Sequence, residues 1–85
     1  MDEAEAILVE IKSGVTHFSP GSEKEDDIIV FQARAKVISH LNNKGMINDI
    51  NEIRESMTGN RYITSISIIG GLTYTGESYL RSINL

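Results

Sequence analysis

Between Thr58-Gly59-Asn60 and Gly70-Gly71 runs a segment, Arg61 to Ile69, in which Ile63, Thr64, Ile66, Ile68 and Ile69 are β-branched. Branching at Cβ restricts rotamers in a helix and packs well on a pleated surface, so this stretch commits the chain to a sheet. Tyr62, Thr64, Ile66 and Ile68 alternate onto one face, and Gly70-Gly71 is expected to break the strand. A strand needs a partner. Thr58-Gly59-Asn60 is turn chemistry, so a hairpin around residues 56–60 supplies one. Its first arm, Ile47 to Met57, admits two readings. Ile50, Ile53 and Met57 are spaced like a short helix, whereas the position after a helix and before a turn favours a strand.

Helical periodicity fills the rest. From Asp2 to about Lys12, the residues Ala4, Ile7, Leu8 and Ile11, followed by Val15, form one apolar stripe. Asp2, Glu3 and Glu5 sit where free amides favour anions, and Ser13-Gly14 is expected to end the helix. Val15 to Gly21 reads as an extended piece closing in the Pro20-Gly21 turn. Ser22 and Glu25 then have the spacing of a capping box. Behind them Ile28, Phe31, Ala35 and Ile38 share a face, with Val30, Val37 and Leu41 beside it, and Gly45 terminates. Nothing between Glu23 and Leu41 breaks the pattern, so one long helix is expected, with a bend near Gln32–Ala35 as the alternative. Thr73 caps a last helix in which Leu72, Gly76, Leu80 and Ile83 form a row beside Tyr79.

At 85 residues and without an internal repeat, residues 1–85 hold one domain, small enough that self-association would help stabilise it. With no cysteine, disulfides, thiolate metal sites and cysteine nucleophiles are excluded. The longest apolar run, Ile28 to Phe31, is far short of the roughly 20 residues that span a bilayer. The acidic start does not resemble a secretory signal, so a soluble cytoplasmic protein without membrane partners is expected. The net charge of -4 conceals a division: residues 1–27 sum to -6 and residues 28–85 to +2. Dipole complementarity accounts for the acids. The second part keeps a weak basic face.

Two stretches carry a family likeness. Ile38-x-x-Leu41-x-x-x-Gly45-Met46-Ile47 resembles the end of a winged-helix recognition helix running into the first wing strand. Leu72-Thr73-x-x-Gly76-x-x-Tyr79-Leu80 resembles the closing helix of the YjcQ-type family and related small winged-helix proteins of bacteria and their phages. The resemblance implies an α+β, winged-helix-like fold with three helices, a β-hairpin wing and a long central helix. It also implies that Leu72 plugs the core, Thr73 caps, and Gly76 brings the helix close to the sheet. A helix-turn-helix needs a turn, and Glu23–Lys44 shows none.

His17 and His40 are the only histidines and lack metal-ligand spacing, Gly70-Gly71 matches no phosphate-binding pattern, and no serine sits in a nucleophile elbow. No catalytic residue, metal or cofactor is therefore expected. The residues placed to touch double-stranded DNA are Arg34, Lys36 and Lys44 on the long helix and Arg54 and Arg61 by the hairpin tip. The expected function is a non-enzymatic, DNA-binding regulatory module that acts as a dimer. The alternative is a protein-interaction module on the same scaffold, in which Ile28, Phe31 and Ile38 line a homodimer or partner groove.

Overall fold

A computed structural model describes residues 2–57 and 60–83. Among them, three helices and three strands follow in the order α1 (Glu3–Lys12), β1 (His17–Phe18), α2 (Glu25–Asn43), β2 (Ile47–Met57), β3 (Asn60–Leu72) and α3 (Tyr74–Ile83). The fold is α+β and winged-helix-like, with an antiparallel sheet ordered β1-β3-β2. The expected turn at Thr58-Gly59 lies outside the described residues.

Asp2 caps α1 by accepting from the amide of Glu5 at 2.8 Å. The stripe read from the sequence is buried at Ile7, Leu8 and Ile11. The capping box at the start of α2 does not form. Ser22 Oγ accepts from Lys24 N and donates to Asp27 Oδ2, which closes the loop and delays the helix to Glu25. From there α2 runs unbroken for 19 residues. It ends in a Schellman motif: Met46 N donates to Leu41 O and Gly45 N to Asn42 O, with Gly45 at φ +78°. Ile47–Met57 is strand throughout, so the helical alternative fails for this segment. It pairs antiparallel with β3 along its length, from Ile47↔Leu72 to Met57↔Asn60.

Gly70-Gly71 does not break β3. Ile47 pairs with Leu72 and Asp49 with Ile69, leaving Asn48 opposite two glycines at positive φ in a bulge. Asn48 Nδ2 bridges it, donating to Gly70 O at 2.7 Å and Leu72 O at 3.3 Å. A second irregularity lies between Ile53↔Ser65 and Arg54↔Ile63, with Thr64 as the extra residue. Thr64 Oγ1 donates to Ile53 O at 3.2 Å. This bulge resets the alternation, so Ile63, Ile66 and Ile68 are buried while Tyr62 and Thr64 are only half-buried. A strict period of two, which placed Tyr62 and Thr64 with Ile66, is therefore corrected.

The helices cover one face of this sheet, and the core joins Ile7, Leu8, Phe31, Ile38, Ile47, Ile66 and Leu80. Phe31 and Ile38 are 4% and 0% exposed, so the expectation that they line a partner groove is corrected: they already fill the chain's own core. Ile28 is half-buried, and the apolar pair that α2 turns outward is Ile29 and Val30.

Thr73 ties the last helix to the sheet. Its Oγ1 accepts from Gly76 N at 3.0 Å and donates to Gly45 O, and its own amide bonds Met46 O. Gly76 is needed for that approach, because a Cβ there would lie 2.2 Å from Met46 O. Backbone on one side and helix on the other leave no side chain to yield. Gly76→Ala is expected to cost about 2–4 kcal/mol, lowering the thermal midpoint by roughly 10 °C or more. A melting curve followed by circular dichroism checks this.

Candidate functional site

The part of α2 from Gln32 to Asn43 and the inner face of the hairpin enclose an open groove of about 490 Å³. Its helical wall is Gln32, Ala35, Lys36, Ser39, His40 and Asn43, recurring at three- and four-residue steps so that one helical face is presented. The opposite wall is Glu52, Arg54, Arg61, Tyr62 and Ile63. Strand geometry explains four of these five. Glu52 and Arg54 are two apart on β2, Arg61 and Ile63 two apart on β3, and Arg54 pairs with Ile63 in register.

Gln32 fixes the distance between the walls. Its Nε2 donates to Ile63 O at 2.7 Å, and its Oε1 accepts from Ile63 N at 2.8 Å. Both backbone groups of Ile63 face away from β2, at a place that β1, only two residues long, does not reach. The carboxamide of Gln32 acts there as a one-residue strand and removes an exposed edge.

Three of the five expected cations, Lys36, Arg54 and Arg61, are thus brought into one groove, together with His40. Glu52 sits among them. It lies 3.5 Å from Arg54 Nη2 and accepts from Ser39 Oγ at 3.4 Å. Sequence reasoning passed over Gln32, Ser39, His40, Asn43 and Glu52 as groove residues. The i, i+4 relation of Lys36 and His40 was the available signal. The two cations outside the groove have other positions. Lys44 is exposed at the end of α2. Arg34 faces α1: its Nη2 pairs with Glu10, its Nε lies 3.0 Å from Glu3 Oε1, and its guanidinium sits 5.2 Å from the Phe18 ring centroid. Arg34 therefore clamps α1, α2 and β1 together and does not line the groove.

The acids lie at the other end of α2. Glu23 and Glu55 line a separate hollow of about 540 Å³ with Pro20, Ser22, Ile28, Tyr62 and Thr64. Charge is thus sorted along α2, acidic at its start and basic along its second half. Among the described residues, no group of three histidine, aspartate or glutamate side chains is arranged to hold a metal ion. No helix among them is long and apolar enough to cross a membrane.

This division between clamp and groove has a measurable consequence. Arg34→Ala removes two ion pairs and the packing over Phe18, and is expected to lower stability by about 1–2 kcal/mol in urea titration. Lys36→Ala, in the open groove, is expected to stay within about 0.5 kcal/mol of the parent.

Neither family models nor curated proteins nor solved structures match this chain.

Proposed function

We propose that the chain is a non-enzymatic winged-helix-like module that binds double-stranded DNA through the groove between α2 and the hairpin. The observation that carries this reading is the convergence of Lys36, Arg54 and Arg61 on one concave surface, from a helix and two strands. Lysine and arginine gathered this way bind phosphates by releasing condensed counterions, and that release supplies much of a protein's affinity for a duplex. The second half of α2 supplies the recognition surface, with Ser39, His40 and Asn43 as hydrogen-bonding groups beside the cations. The hairpin acts as the wing. The likeness of residues 38–47 and 72–80 to YjcQ-type winged-helix proteins supports the same assignment. Because α2 is unbroken, no helix-turn-helix positions it, and the hairpin carries that task.

With a net charge of -4, affinity is expected to be modest and steep in salt. Fluorescence anisotropy with short duplexes at low and moderate salt tests the proposal. The Lys36→Ala/Arg61→Ala double variant is expected to bind at least about tenfold more weakly, with a salt slope smaller by about two. Affinity that is absent at low salt, or indifferent to salt, would overturn it. The competing role, a protein-interaction module in a cytoplasmic setting, draws support from Ile29 and Val30, which are 58% and 69% exposed side by side on α2. It is the reading that a failure to bind duplexes would favour.

A further inference from the structure

Among the described residues, the strand order leaves β2 with one edge unpaired. Which backbone groups occupy that edge follows from β3. Ile68 N donates to Thr16 O, and both backbone groups of Ile63 bond Gln32, so Ile68 and Ile63 face away from β2. Their register partners Ile50 and Arg54 face away from β3 in turn, and Glu52 lies between them in the same phase. The amides and carbonyls of β2 that face away from β3 are therefore those of Ile50, Glu52, Arg54 and Ser56. The start of the edge is already covered, because Asn42 Nδ2 donates to Ile47 O at 3.1 Å and Asn48 O at 3.3 Å. The open stretch is 50–56, and its midpoint is Ile53.

We propose that this edge pairs antiparallel with the same edge of a second copy, about a two-fold axis at Ile53. The charges select that register. Antiparallel pairing about Ile53 sets Glu52 of one copy opposite Arg54 of the other, twice, so both ion pairs form by symmetry. No like charges oppose each other: Asn51 meets Glu55, and Ile50 meets Ser56. Ile53, 47% exposed, meets its own copy in a non-hydrogen-bonded pair, where side chains approach most closely. A shift of one residue in either direction would bring an axis to Glu52 or Arg54 and oppose two equal charges. The second copy extends the sheet to six strands and leaves the cation grooves on one side of it. This pairing does not depend on DNA.

Sedimentation velocity over increasing concentration provides the test. The parent chain is expected to move from the 9.4 kDa monomer toward twice that mass. Glu52→Arg and Arg54→Glu each place like charges across the axis and are expected to remain monomeric alone. Mixed in equal amounts, the two variants oppose unlike charges at both positions and are expected to associate as the parent does. Hydrogen exchange on the unsubstituted chain gives a second readout. The amides of Ile50, Glu52 and Arg54 are expected to slow with concentration, whereas those of Asn51, Ile53 and Glu55, bonded to β3, do not change. A parent chain that stays monomeric up to about 1 mM, single variants that associate like the parent, or exchange at Ile50, Glu52 and Arg54 that ignores concentration would each overturn the proposal.

Discussion

One side chain holds the helical layer and the hairpin in register. The amide of Gln32 bonds both backbone groups of Ile63, where β1 has ended and β3 would otherwise show an open edge. Two buried backbone groups without partners would cost several kcal/mol, so the helix is drawn to that point on the strand. Beyond Ile63, Arg61 is exposed and meets the open side of α2.

The bulge beside Thr64 belongs to the same device. It turns Ile63 into the core and shifts Thr64 out of phase, so that Arg61 and Arg54 lie on the face that α2 overlooks. Without the extra residue, the side chains beyond Ile66 would point to opposite faces, and Arg61 would leave the groove. At the other end of the strand, Asn48 spans the glycine bulge and Gly76 admits α3 against Met46. The two irregularities in β3 therefore have separate roles, one aiming the hairpin and the other seating the last helix.

Positive charge serves two ends in this chain. Arg34 works within the fold, pinned by Glu3 and Glu10 over Phe18. This accounts for part of the acidic excess in the first 27 residues, which is structural rather than only solvating. Lys36, Arg54 and Arg61 keep open access to solvent in the groove, with Glu52 alone opposing them among its lining residues. The chain's acidic average thus coexists with a local cationic surface, because helix periodicity separates Arg34 from Lys36 by about 200° around α2.

Local physics made much of this legible from residues alone. The spacing of Ile7, Leu8 and Ile11, the span of α2 up to Gly45, the β-branched strand and the Thr73 cap all depend on neighbours within one turn or one pleat. They appear where the pattern placed them. What escaped the sequence depends on contacts that the pattern does not encode. Ser22 looked like a cap until Asp27 claimed it; Gly70-Gly71 looked like a stop until Asn48 bridged it; Arg34 looked free until α1 folded over it. Periodicity says which face a side chain takes, but not what will lie opposite. Only the tertiary structure decided which cations stay open, because ion pairing, bulges and edge coverage are set by contacts that loop closure brings together.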